Sequence, residues 1–200
     1  MSPHRYFAIN KPYGMLSQFV GGHPGLPMLD ALDFSFPEGT HALGRLDYTS
    51  EGLLLLTTNK AMTKILFNPE AAHQRTYLVN VYKQVSDATI NHLANGVSIR
   101  IKGGENYSTT PAVVRRNPRP NSLPRITHEL REDIAQDWLT ITLTEGKYRQ
   151  VRKMLQAVHH PCHRLIRLSI GKMELGDLAS GAVRELSELD FFRELGIKTK

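Results

Sequence analysis

A single cysteine, Cys162, stands among 200 residues. No disulfide can close within such a chain, so its stability has to come from a packed core, and a reducing compartment is expected. Long apolar runs are missing too. The most apolar stretch, Gly52-Leu53-Leu54-Leu55-Leu56, falls far short of the roughly 20 residues that a membrane helix needs. The amino terminus, Met1-Ser2-Pro3-His4-Arg5-Tyr6, leads into only a few apolar residues and lacks a small-residue cleavage site, so no secretory signal is expected. The cytoplasm is the expected location, with no membrane partner. Nucleotide-binding signatures are also lacking: Gly103-Gly104 has no following Lys-Ser/Thr, and no dinucleotide fingerprint occurs. The run His159-His160-Pro161-Cys162-His163 has zinc-ligand residue types. Its candidates are nearly contiguous, however, and no second cluster completes a tetrahedron, so a loop entering a strand is expected there. No cofactor and no metal are expected.

What is present is ordinary in bulk and uneven in placement. Hydrophobic residues make up 40% and charged residues 22%, close to globular usage, enough for one substantial core or two small lobes sharing a sheet. Residues 115–172 hold 12 of the 25 Lys and Arg but only 5 of the 19 Asp and Glu. That stretch carries a surplus of seven positive charges, and the rest of the chain is one negative. A local surplus of this kind suits a polyanion such as RNA, whose condensed counterions are released on binding. It also suits a solvated surface with no partner.

Proline and glycine gather in Gly21-Gly22-His23-Pro24-Gly25-Leu26-Pro27, a loop signal. They recur as three prolines in Asn117-Pro118-Arg119-Pro120-Asn121-Ser122-Leu123-Pro124-Arg125, which excludes a central strand or helix interior there. Between these loops, pattern predicts strands over 6–10, 53–57, 76–82, 112–116, 138–143 and 164–169, with Trp138–Leu143 the clearest. Helices are predicted over 62–67, over 87–94 with Asn95-Gly96 as stop, and over 148–158. The order mixes hairpins with helices and has no regular βαβ repeat. An α+β fold with a mixed, largely antiparallel sheet flanked by helices is expected, as a single domain over 1–200.

Two segments carry chemistry. His41 to Gly52 includes Gly44-Arg45-Leu46-Asp47 and runs straight into the apolar strand. An aspartate beside a core is costly unless hydrogen-bonded or paired. Asp47 is then either a turn cap neutralised by Arg45 or a reactive carboxylate. In the second segment, a helix over 148–158 puts Val151, Met154, Leu155 and Val158 on one face at about 100° per residue. Arg152 sits just past the border of that face, while Arg149 and Lys153 point towards solvent. Arg152 can reach a buried carboxylate or snorkel to water along apolar surface. Arg149 and Lys153 can meet phosphates.

Four blocks in order resemble the pseudouridine synthases, in the branch that holds the small-subunit ribosomal enzyme of type A with the large-subunit ribosomal enzymes of types B, E and F. They are Lys11-Pro12-Tyr13-Gly14; Gly44-Arg45-Leu46-Asp47 with Ser50-Glu51-Gly52-Leu53-Leu54; Arg75-Thr76-Tyr77-Leu78-Val79; and Arg149-Gln150-Val151-Arg152-Lys153-Met154-Leu155 followed by Leu165-Ile166-Arg167 and Ile170-Gly171. The resemblance spans about residues 5–190, and the Pro-rich insert before Trp138 is similar to the large-subunit ribosomal type E. Many members of the branch carry an N-terminal S4-like domain, and none is expected here.

The resemblance implies a pseudouridine synthase fold and isomerisation of a uridine in 23S ribosomal RNA, free or partly assembled, by a monomer. It implies Asp47 as the catalytic carboxylate, acting as nucleophile or as base on the ribose. Arg152 would keep Asp47 ionised, Tyr77 would lie against the uracil, and Arg45 would steady the space left by the flipped nucleotide. Lys11, Arg149, Lys153 and Arg167 complete the expected RNA-binding set, Lys11 in a supporting position. Another RNA substrate, or a non-catalytic basic RNA-binding protein, is the alternative. The latter has little use for a carboxylate among phosphates.

Overall fold

The computed structural model describes residues 3–21, 24–68 and 73–197, so Gly22 and His23 of the first predicted loop lie outside the described residues. In chain order the strands and α-helices are β1 (Tyr6–Lys11), β2 (His41–Ala42), β3 (Glu51–Thr57), α1 (Ala61–Leu66), β4 (Arg75–Tyr82), α2 (Asp87–Asn95), β5 (Ser98–Arg100), β6 (Asn106–Ser108) and β7 (Val113–Asn117). They continue with β8 (Gln136–Leu143), α3 (Gln150–Ala157), β9 (Cys162–Ile170), β10 (Met173–Glu174), β11 (Val183–Leu186) and α4 (Glu188–Leu195). Every predicted strand and helix is found, with ends shifted by a residue or two. Residues 183–195 supply a strand and a helix that pattern did not single out. The chain divides into two compact units, Met1–Gln74 with Ile166–Lys200, and Arg75–Leu165. The second boundary falls inside β9.

In unit 1, β1 pairs antiparallel with β3 on one side and with β11 on the other. The carboxyl-terminal half of β9 lies parallel to the start of β3, opposing Ile166 to Glu51 and Arg167 to Gly52. Both faces of β3 are covered, which is why it is a continuous apolar run and not an alternating one. Leu54 and Leu56 join Phe7, Ile9, Met15, Leu29, Leu32 and Leu46 in one core. On the opposite face of β1, Tyr6 meets Phe191 and Phe192 of α4 at 4.8 and 5.8 Å between ring centroids. Ser187 starts α4 by accepting from Asp190 N at 3.1 Å. Gly52 is required where it stands: φ is +99°, and a Cβ would lie 2.4 Å from Arg167 O. Any larger residue would push β9 off β3 at the point where the turn carrying Asp47 enters the core.

In unit 2, β8 lies antiparallel between β4 and β7, with Tyr77 opposite Ile141 and Val79 opposite Leu139. A separate antiparallel β5–β6 hairpin sets Ile99 against Tyr107 and Arg100 against Asn106. The core collects Val79, Val81, Leu139, Ile141 and Leu143 from the strands with Val151, Met154 and Leu155 from α3, and Val158 packs against it. This is the apolar face predicted for the helix. The Pro-rich segment is loop, held by a partly buried charge cluster. Arg119 Nε donates to Glu129 Oε1 at 2.5 Å, and Arg164, itself buried, places Nη1 2.8 Å from Pro124 O and 3.8 Å from Glu129 Oε2. Burial raises the Glu129 carboxyl, but the hydrogen bond and charge of Arg119 and the charge of Arg164 outweigh it and hold that carboxyl below its usual range.

The His/Cys run is the loop and strand start that its spacing suggested, and each histidine has a structural task. His159 takes φ +63° where α3 ends, with His160 N reaching back to Leu155 O at 3.0 Å. The His160 ring meets Tyr82 O, and the His163 ring meets His128 O at 2.6 Å. Among the described residues, no group of three or more His, Cys, Asp or Glu is placed to hold a metal ion. No described helix is long and apolar enough to cross a membrane.

Candidate active site

Asp47 lies in unit 1 on the turn between the short β2 and the apolar β3, half-buried, with Arg45 exposed two residues earlier. The turn closes on itself through Ser50 N to Asp47 O at 3.0 Å. It is also pinned on both sides of Asp47 by the loop that follows β1. Ser17 Oγ donates to Leu46 O at 2.8 Å and accepts from Leu46 N at 3.0 Å, and Gly14 N donates to Tyr48 O at 2.9 Å. A carboxylate whose two neighbours are tethered has little backbone freedom left, the condition under which a reacting group is held ready. Ser17 was not singled out from the sequence. Its partner is 29 residues away, and no local pattern announces such a contact.

Lys11 and Arg167 differ from expectation. As RNA-contacting residues they would have to be exposed, yet they are 0% and 5% exposed. Lys11 Nζ donates to Pro12 O at 2.8 Å and Met15 O at 2.6 Å, fixing the loop that tethers the Asp47 turn. Arg167 Nε donates to Leu53 O at 2.7 Å. A phosphate oxygen cannot reach head groups enclosed in this way, so their part is internal. Burial pushes the Lys11 ammonium down to about 7. The carboxylates of Glu51 and Asp47 oppose that shift, and the Arg167 guanidinium adds to it. Glu51 is therefore part of the site, only 7% exposed. Its signal in the sequence was a charge placed directly at the start of an all-apolar strand. Lys11 thus feels the opposite charges of Glu51 and Asp47 and the like charge of Arg167 in surroundings largely shielded from water, where charges interact strongly.

In unit 2, Tyr77 is half-buried on β4 and packs against the core to which Val79, Val81 and Ile141 belong. Arg152 borders the apolar face of α3, as its position predicted, and its Nη1 donates to Cys162 O at 3.2 Å. Arg149 departs from the helical expectation. It precedes α3 in a left-handed conformation, φ +54°, which costs a non-glycine residue roughly 1 kcal/mol. The buried side chain of Gln150 holds that entry: Oε1 accepts from Lys147 N at 2.8 Å and Nε2 donates to Glu145 Oε1 at 2.6 Å. Arg149 is exposed as expected. Lys153 is half-buried, with Nζ donating to Arg100 O at 2.7 Å.

Residues 5–157 match the family model for RNA pseudouridylate synthase. The chain is 38% identical over 173 residues to a ribosomal large subunit pseudouridine synthase E of Xanthomonas axonopodis pv. citri (strain 306), covering 86% of this chain and 88% of that one. It is 33% identical over 186 residues to the ribosomal small subunit pseudouridine synthase A of Escherichia coli (strain K12), covering 92% and 71%. A crystal structure of a pseudouridylate synthase superposes with a TM-score of 0.75 at 26% identity, over 97% of this chain and 75% of that one.

Proposed function

The chain belongs to the RNA pseudouridylate synthase family, and we propose that it isomerises a uridine of large-subunit ribosomal RNA with Asp47 as the reacting carboxylate. The substrate class follows the large-subunit relatives. The observation that supports Asp47 is its turn, tethered through Leu46 and Tyr48 and set among the buried charges of Lys11, Glu51 and Arg167. Arg45, exposed on the same turn, is suited to enter the space a flipped nucleotide leaves. Tyr77 and Arg152, in the second unit, keep the roles the motif resemblance implies. Arg149 and Lys153 are the phosphate contacts of the proposal.

The reaction breaks the uridine N-glycosidic bond and rejoins the uracil to the ribose through C5. Atoms and electrons balance within the nucleotide, so no outside oxidant, reductant or group donor enters. Purified protein should therefore act in EDTA without added nucleotide, with RNA folding controlled for separately; a strict metal requirement at the chemical step would contradict this. We take the described chain to work as one catalytic domain, a monomer acting in the cytoplasm on RNA that is free or partly assembled.

The decisive experiment maps pseudouridines in ribosomal RNA from cells with and without the gene, then restores the missing site with purified protein. Loss of one large-subunit site, regained in vitro by wild type and not by Asp47→Asn, is expected. Loss of a small-subunit site instead would favour the activity named for the Escherichia coli relative. An unchanged map would overturn the reading.

A further inference from the structure

A lone exposed apolar side chain is ordinary on a protein surface, but Tyr148, 70% exposed, does not stand alone. Lys153 Nζ lies 5.5 Å from its ring centroid. The same ammonium is tethered to Arg100 O, so the lysine's position is set by backbone and not by its own flexible stem. One residue before Tyr148, Lys147 Nζ lies 4.6 Å from the ring centroid of Tyr107. That ring is anchored in turn by its hydroxyl, which donates to Glu145 Oε2 at 2.5 Å. Arg100 and Tyr107 occupy adjoining rungs of the β5–β6 hairpin, so the two lysine–tyrosine pairs stand on the hairpin and on the loop entering α3, all in unit 2. Of the nearby acids, Glu145 is taken up by Tyr107, Thr110 and Gln150, and Glu105 is exposed at the hairpin turn.

We propose that this patch docks an unpaired stretch of RNA, with Tyr148 as a stacking platform for one base and Lys147 and Lys153 as contacts to the flanking phosphates. The inference rests on the RNA-modifying function proposed above and deepens it by naming the form of the RNA that unit 2 holds: a single-stranded segment of the substrate. The physics favours that form. An aromatic face offers stacking to any unpaired base, and neighbouring cations neutralise the backbone that links successive bases. In a duplex the base faces are already stacked on each other, so only the phosphates remain available. Pre-placed lysines also lose less side-chain freedom on binding than untethered ones would.

The test measures binding of the full chain to a fluorescein-labelled RNA of about 12 nucleotides, within the site size of single-strand binders, and to the same strand annealed to its complement. Tyr148→Ala should weaken single-strand binding by about 5- to 100-fold, the range for losing one stacked base, and leave duplex binding unchanged. Tyr148→Phe keeps the ring and should restore wild-type affinity. Lys147→Gln should lower the slope of log affinity against log salt by up to about one, whereas Tyr148→Ala should leave it unaltered. Wild-type affinity in Tyr148→Ala, or an equal loss on the duplex, would overturn the proposal. So would tight binding of polyglutamate with the same dependence on Tyr148, which would reassign the patch to an acidic protein. These oligonucleotides need not be converted, so the two readings fail separately. An unchanged ribosomal pseudouridine map counts against the enzyme's assigned substrate, and single-strand affinity indifferent to Tyr148 counts against the platform alone.

Discussion

Near Asp47 in unit 1, the charged side chains are withdrawn from water: Lys11, Glu51 and Arg167 are all buried, and the charges of Glu51, Asp47 and Arg167 act on the protonation of Lys11. Along the β5–β6 hairpin and the entry to α3 in unit 2, cations lie at the surface instead, with Arg100, Lys147 and Arg149 exposed and Lys153 half-buried. Charges shielded from solvent interact strongly and answer to pH. Exposed charges are screened within about 8–10 Å at physiological salt, so their effects answer to ionic strength. The contrast separates a region that suits the control of the proposed reacting group from one suited to hold a polyanion. Unit 2 has its own partly buried cluster, Arg119–Glu129–Arg164, but that cluster fastens a proline-rich loop.

The largest effect should come from removing the charge at the centre of the first region. Asp47→Asn is nearly isosteric and should fold and bind RNA, while pseudouridine formation falls below detection. A variant keeping a tenth of the wild-type rate would remove Asp47 from the chemistry. Next comes Arg152→Met. In the role the motif resemblance implies, Arg152 is the counter-charge that keeps Asp47 ionised; loss of such a partner by a carboxylate withdrawn from water typically costs several kcal/mol, so the rate at saturating RNA should drop by roughly 100-fold. Should single-turnover kinetics show a loss of affinity only, Arg152 belongs with the surface cations and the contrast blurs.

Lys11 sharpens the comparison through pH. Its folded-state value of about 7 lies below the ordinary 10.5, so above neutrality the unfolded chain binds the extra proton. Stability then rises with pH wherever the unfolded state holds more protons. Wild type should gain stability relative to Lys11→Met as pH climbs from about 7 towards 10, followed by urea unfolding at each pH. A flat or falling difference would show that the lysine keeps its ordinary protonation in the fold. The smallest effects belong to the surface set. Arg149→Gln and Lys153→Gln should each weaken RNA binding a few-fold, lower the salt slope by up to about one, and spare the saturated rate. A collapse of turnover in either variant would place it with the buried set.

The strands and the apolar face of α3 were legible in the sequence because they rest on short-range periodicity. Val151, Met154 and Leu155 face the core by helical geometry alone. The loops around Pro118–Pro124 and the helix stop at Asn95-Gly96 were equally local, resting on missing N–H donors and backbone freedom. Asp47 stood out through the order of four motif blocks and not through any single spacing. Arg149 was misplaced on the helix, since nothing in Tyr148-Arg149-Gln150 signals that the glutamine side chain would bond back to Lys147 and Glu145 and hold the arginine left-handed.

By itself, then, the sequence determined an α+β chain with a largely antiparallel sheet, a basic helix with one apolar face, and a carboxylate at the mouth of an apolar strand. Only the tertiary structure decided which charges are enclosed. Lys11 and Arg167 look like surface cations in the chain, but they are buried because Met15 O and Leu53 O receive them and because Gly52 lets β9 approach β3. The tether from Ser17 to Leu46 spans 29 residues and the contact from Arg167 to Leu53 spans 114. Contacts of that range follow from how strands are brought together, and they leave no period or motif in the residues between.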